Sequence, residues 1–170
     1  MTVLGADELN TDPFLLFNQW FAEAQQSEIN DPDAIALASV DADGMPSVRM
    51  VLLKEILPEG FVFYTNYTSR KSGELMATGK AAFVIHWKSL RRQIRVTGAV
   101  EQVPDAQSDA YYQTRSRGSR IGAWASQQSK PLRNRDELAE AVRKIEENYP
   151  DEVPRPTHWG GFLIRPAEIE

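Results

Sequence analysis

Residues 34–53 read AIALASVDADGMPSVRMVLL, and this stretch decides the fold. A run of small and β-branched residues over 34–40 and an apolar-rich run over 46–53 flank the turn residues Asp41, Ala42, Asp43 and Gly44, which reads as a β-hairpin. Strands joined this closely are antiparallel, because a parallel pair needs a crossover of a dozen or more residues. Working outward, residues 60–65 (GFVFYT) form a further strand. Residues 81–87 and 93–103 form a second hairpin around 88–91, and residues 161–165 a short last strand. Helices are expected over 12–26, with Asp12 as cap and Pro13 at the first helical position, and over 69–77 and 105–114. The longest is expected over 134–148, with Asn134 as cap and Glu137 three residues later. Hairpin-linked strands with appended helices predict an α+β protein, mainly antiparallel β: one domain over residues 1–170, built as a β-barrel with peripheral helices.

Composition narrows the chemistry. The 170 residues contain no cysteine and two histidines, His86 and His158. Disulfides, thiolate metal sites and cysteine nucleophiles are thereby excluded, and a multi-histidine metal site is nearly so. No apolar run reaches the ~20 residues of a membrane span, and residues 1–10 lack the layout of a signal peptide. The expectation is an intracellular, cytoplasmic protein with neither membrane nor nucleic-acid partner. The net charge of −5 is unevenly spread. Residues 1–43 hold nine acids and no Lys or Arg, residues 44–135 hold fifteen bases and six acids, and residues 136–170 hold four bases and nine acids. A basic centre between acidic ends has two readings: charge balance over a solvated surface, or an anion-binding site in mid-chain.

Four segments bear on the second reading. At 64–71 (YTNYTSRK), a helix capped by Ser69 places Arg70 and Lys71 in its first turn, the wrong end for cations unless an anion sits there. At 49–54 (RMVLLK), an arginine among apolar neighbours calls for an anionic partner or a rim position. Alternation sends Arg49 and Lys54 to opposite faces unless the strand bends. At 91–95 (RRQIR), Arg91, Gln93 and Arg95 share one face, as a ligand-binding row or as charges guarding a sheet edge. Tyr111, Arg115 and Ser119 are spaced by four and four, so a continuous helix brings them onto one face, with Gly118 the expected interruption. Dinucleotide-binding, P-loop and hydrolase-elbow motifs are all absent from the sequence. The residues point to a phosphorylated ligand, with the hard chemistry carried by a cofactor.

Taken in order, R-M-V-L-L-K, Y-T-N-x-x-S-R-K, R-R-Q-I, Y-Y-Q-T-R-S-R-G-S-R-I-G-A-W-A-S-x-Q-S and the W-G-G-F of residues 159–162 closely resemble the pyridoxine/pyridoxamine 5′-phosphate oxidase family, over nearly the whole chain from residue 12 to 170. The resemblance implies an FMN-binding split β-barrel working as a homodimer, with FMN in a cleft between subunits. It implies that Arg49, Met50, Val51, Leu52, Leu53, Lys54, Tyr64, Thr65, Arg70, Lys71, Gln93, Gln128 and Ser129 contact FMN. Lys54, Tyr111, Arg115 and Ser119 would hold the phosphate of the substrate, a phosphorylated B6 vitamer. The implied reaction passes a hydride from C4′ of pyridoxine or pyridoxamine 5′-phosphate to flavin N5. Pyridoxal 5′-phosphate forms, and O₂ is the acceptor that yields hydrogen peroxide. No acid–base residue stands out.

The family continues past the I-E pair with a tryptophan, an R-x-H pair and a further arginine, and this sequence stops at Ile169-Glu170. The expectation is that such a segment follows residue 170. Trp159 belongs to the W-G-G-F motif and does not replace that tryptophan. Two alternatives stand beside the oxidase: another split-barrel flavin oxidoreductase, and a non-catalytic protein binding FMN or pyridoxal phosphate.

Overall fold

The computed structural model describes residues 11–170. Residues 1–10, on which the signal-peptide expectation falls, lie outside the described residues. Six strands close into an antiparallel barrel in the order β1-β2-β3-β6-β5-β4: β1 (Ala34–Val40), β2 (Pro46–Leu57), β3 (Gly60–Asn66), β4 (Lys80–Trp87), β5 (Arg92–Gln102) and β6 (Trp159–Ile169). Among the described residues five helices accompany them: α1 (Pro13–Ser27), α2 (Arg70–Thr78), α3 (Asp105–Thr114), α4 (Arg117–Ala125) and α5 (Arg135–Asn148). The expected α+β antiparallel barrel is the observed fold.

The deciding hairpin forms as read. In its turn the Asp41 carboxylate accepts from the N–H groups of Asp43 and Met45, and Gly44 takes the left-handed conformation at φ 85°. Alternation along β1 sends Ile35, Leu37 and Ser39 inward. The core they join is strongly aromatic, with Phe61, Phe63, Phe83, Trp87 and Phe162 inside the barrel. α1 lays Phe17 between Phe61 and Trp87, at ring-centroid distances of 4.9 and 5.7 Å. Its first turn is tied by the Asp12 carboxylate to the Phe14 N–H at 2.8 Å, the expected cap.

Three local readings are corrected. β6 is eleven residues long, well beyond the short strand expected over 161–165. α4 went unread, because Ser116, Arg117, Gly118 and Ser119 look like a turn. The α3–α4 break falls at Arg115 and Ser116 and leaves Gly118 inside α4: Ser116 caps the new helix by accepting from the Ser119 N–H. Tyr111, Arg115 and Ser119 therefore do not lie on one continuous helix.

One irregularity creates the site. β2 pairs with β1 from Pro46 to Leu52, but its pairing with β3 begins only at Leu53 and shifts register between Leu53 and Glu55. Beyond Phe63, β3 pairs with β6 through Tyr64, Thr65 and Asn66. Residues 49–52 of β2 and residues 64–66 of β3 thus part company at a bulge, leaving a split in the wall. The β2 edge along that split keeps backbone donors and acceptors that no described strand takes up.

Candidate active site

A cavity of about 730 Å³ occupies the split, within the size range of sites for small ligands. One wall is the β2 edge at Arg49, Met50, Val51, Leu52 and Lys54. The opposite wall is Tyr64 and Thr65 of β3 with Trp159 of β6. Arg70 and Lys71 of α2, Tyr111, Arg115, Ser116 and Ser119 of α3, α4 and their junction, and Gln128 and Ser129 complete the lining. Alternation along β2 is kept up to Leu53, with Arg49 on the half-buried row and Met50 on the exposed one. Arg49 and Lys54 still reach one cavity, because it runs along the strand's edge and not over one face.

Among the described residues, five cations line this cavity and no carboxylate does. Three of the five are tied to acids lying outside the lining: Arg49 and Arg70 to Glu74, and Lys54 to Asp33 at 2.6 Å. Among the described residues, Lys71 and Arg115 have no carboxylate partner, and the surroundings of each are unusual.

Lys71 is 6% exposed, and its ammonium donates to the Ser69 hydroxyl at 3.1 Å and the Gln128 side-chain oxygen at 2.8 Å. Burial, helped by the nearby Arg49 charge, lowers its pKa to about 8. α2 starts here with no side-chain cap and no acid in its first turn. Two cations at a positive helix end, one of them buried without a counter-charge, leave that end short of one anion.

Arg115 stands at the α3–α4 junction, its guanidinium 4.7 Å from the Trp159 ring centroid. Its Nη1 is buried without a hydrogen-bond partner among the described residues, and burial pulls its pKa down. The Ser116 and Ser119 hydroxyls lie beside it in the lining, 2.9 Å from each other. In the same lining, the Tyr64 ring stacks on Tyr111 at 4.0 Å and 8° and lies nearly parallel to Trp159 at 5.4 Å. The Tyr64 hydroxyl donates to Glu55, which also accepts from Gln107. Burial and that carboxylate raise the phenol's pKa, so it stays protonated and fixes the ring.

Of the residues singled out from sequence, Leu53, Arg91, Gln93 and Arg95 do not line this cavity. Leu53 is 3% exposed and belongs to the core, and the Gln93 side chain is exposed on β5. Two lining residues had gone unread as such. Ser116 was detectable as a helix cap, three residues before Ser119. Trp159 was visible only as part of a motif.

The pyridoxamine 5′-phosphate oxidase family profile matches residues 21–149. A pyridoxine/pyridoxamine 5′-phosphate oxidase from Brucella canis is 57% identical over 162 residues, covering 95% of this chain and 80% of the relative. The chain belongs to the pyridoxamine 5′-phosphate oxidase family. It is accordingly an oxidoreductase. Among solved structures, PhzG from Burkholderia lata 383, crystallised with tetrahydrophenazine-1-carboxylic acid, superposes with a TM-score of 0.91 at 30% identity, covering 99% of this chain and 84% of PhzG. A pyridoxamine 5′-phosphate oxidase-related, FMN-binding protein from Nostoc punctiforme shares the fold with a TM-score of 0.75 at 16% identity, over 94% of this chain and 84% of its own. Among the described residues no helix is long and apolar enough to cross a membrane.

Proposed function

We propose that this member of the family is an FMN-dependent oxidase converting pyridoxine 5′-phosphate and pyridoxamine 5′-phosphate to pyridoxal 5′-phosphate. The observation that carries the reading is the pair of cations without a carboxylate partner, buried Lys71 and half-buried Arg115, in one cavity whose described lining holds no acid. A phosphorylated cofactor and a phosphorylated substrate that must meet need two such seats a short distance apart.

The residues present fit FMN. The uncapped start of α2 with Arg70 and Lys71 suits its phosphate, held by backbone N–H groups and side-chain charge together. The unpaired β2 edge at residues 49–52 offers backbone groups to the rim of a heteroaromatic ring, and Thr65, Gln128 and Ser129 add polar side chains. When bound, FMN would supply the two-electron acceptor for a hydride from substrate C4′, with O₂ taking the electrons on to hydrogen peroxide; the alcohol of pyridoxine 5′-phosphate would also give up its hydroxyl proton, and the imine left from pyridoxamine 5′-phosphate would take up water and release ammonia to give the aldehyde.

The chain's own part is to bind and orient. Arg115, Ser119 and Tyr111, with Lys54 across the cavity, hold the substrate's phosphate, so the pyridine ring lies where Tyr64 and Trp159 set the wall. Holding both partners in one cavity replaces an encounter in solution by a fixed approach, the source of rate such a site can offer without a dedicated acid or base. Gln93 is exposed on β5 and outside the cavity, so the FMN contact that the resemblance gives it would be made from a second subunit of the proposed homodimer.

Arg115→Ala tests the division into two seats. Losing charged hydrogen bonds worth about 1.5–3 kcal/mol should raise KM for pyridoxamine 5′-phosphate by roughly 10- to 100-fold and leave FMN affinity within about twofold. Equal losses for both ligands, or an unchanged KM, would overturn the assignment.

A further inference from the structure

Glu74 belongs to none of the groups above: it is 5% exposed, sits in the second turn of α2 and does not line the cavity. Taking a carboxylate out of water costs several kcal/mol unless every lone pair is met. Here four donors meet it. Its Oε2 accepts from the hydroxyls of Ser39 and Ser47, both at 2.5 Å, and from Arg49 Nη2 at 3.1 Å, and its Oε1 accepts from Arg70 Nε at 2.8 Å. Burial alone would raise its pKa. The bonds from Ser39, Ser47 and Arg70 and the Arg49 charge outweigh that and hold it at about 2, so the group is ionised.

The two arginines are gripped differently. Arg49 spends both terminal nitrogens on the protein: Nη1 on Leu37 O at 3.2 Å and Ser39 Oγ at 2.5 Å, and Nη2 on Ser47 and Glu74. It presents a charge at a fixed place. Arg70 is held only through Nε, one helical turn from Glu74, and its side chain is 63% exposed, so the terminal fork stays open on the cavity. Without a counter-charge, Arg49, Lys71 and the positive end of α2 would push that fork away.

We propose that Glu74 is a positioning residue that fixes Arg70, with Arg49 behind it, as the seat of the flavin phosphate. This rests on the FMN reading above.

Titration of the flavin-free full chain with FMN and with riboflavin, read by flavin fluorescence, separates this role from a structural one. Riboflavin lacks the phosphate, so Glu74→Gln should weaken FMN about tenfold or more, as for a lost charged hydrogen bond, and change riboflavin by less than about twofold. Equal weakening of both flavins would make Glu74 merely structural. Tighter FMN binding would make it only an opposing charge. Either result overturns the proposal. If Glu74→Gln does not fold by circular dichroism, Ser47→Ala decides: about a threefold loss confined to FMN is expected, because Glu74 keeps its other three donors, and no selective loss overturns the proposal. Failure of the wild-type chain to bind FMN would sink the cofactor reading itself. Inorganic phosphate then probes the seat: it should raise the melting temperature of wild type at fixed ionic strength and do so less for Glu74→Gln. Equal shifts, or none in wild type, overturn the role given to Glu74.

Discussion

Lys71 shows how a single buried charge ties the fold to ligand binding. Burial and the Arg49 charge bring its pKa from an ordinary 10.5 to about 8. Without ligand the ammonium is half neutral near pH 8, whereas a phosphate dianion beside it favours the charged form. The complex therefore holds more protons than the free protein, and FMN affinity should fall as pH rises through about 8 and onward. Fluorescence titrations between pH 7 and pH 9.5 should show close to a tenfold loss per unit at the upper end, the limit for one linked proton, with Lys71→Arg flattening the profile. A flat wild-type profile would contradict the assignment. For the fold alone the sign is opposite: the unfolded chain holds the Lys71 proton more tightly, so stability from this residue rises between about pH 8 and 10.5. Glu74, lowered to about 2, contributes stability that is fully present above its ordinary 4.5 and lost as pH falls through 2.

At the scale of the element, the site depends on β2 and β3 being joined tightly at one end and parted at the other. The joined end is crowded: a Cβ on Gly60 would lie 2.2 Å from the Ile164 carbonyl oxygen, a backbone atom that cannot step aside. Gly60→Ala should therefore cost about 1–3 kcal/mol, seen as a lower denaturation midpoint at unchanged slope. An unchanged midpoint would mean that β3 and β6 have slack where Gly60 meets Ile164. The hairpins, the α1 cap and α3 were legible because local patterns decide them: alternation, Asp before Pro, and Gly in a turn. The split was not. Alternation places side chains on faces but says nothing about where a neighbouring strand leaves, so Arg49 and Lys54 could be put on opposite faces yet not in one cavity. The same limit applied to Tyr111, Arg115 and Ser119. Their spacing suggested one helix, and they meet instead across a break that Ser116 caps. Glu74 was invisible as a partner, since Ser39, Ser47 and Arg49 reach it from two other strands.

Over the whole molecule, the uneven charge acquires a location: all five cavity cations fall within the basic block of residues 44–135. The outer face of β2 carries a second feature, a row of exposed apolar side chains with Val48 67%, Met50 62% and Leu52 41% exposed. Its continuity with the cavity through Met50 and Leu52 supports the proposed subunit interface beside the FMN site. Val48→Glu, an exposed position that should spare the monomer fold, is expected to shift sedimentation from dimer to monomer and to weaken FMN about tenfold or more, through loss of the partner's contribution. A wild-type monomer, or a monomeric variant with full FMN affinity, would contradict an interface site. The central claim, that one cavity holds flavin and a B6 phosphate together, is tested most directly by anaerobic mixing. Flavin-loaded protein given pyridoxamine 5′-phosphate should lose the oxidised-flavin absorbance and form one pyridoxal 5′-phosphate per flavin, whereas unphosphorylated pyridoxamine at the same concentration should leave the flavin oxidised. Flavin that stays oxidised with the phosphate ester, or is reduced equally fast by both compounds, would contradict the account.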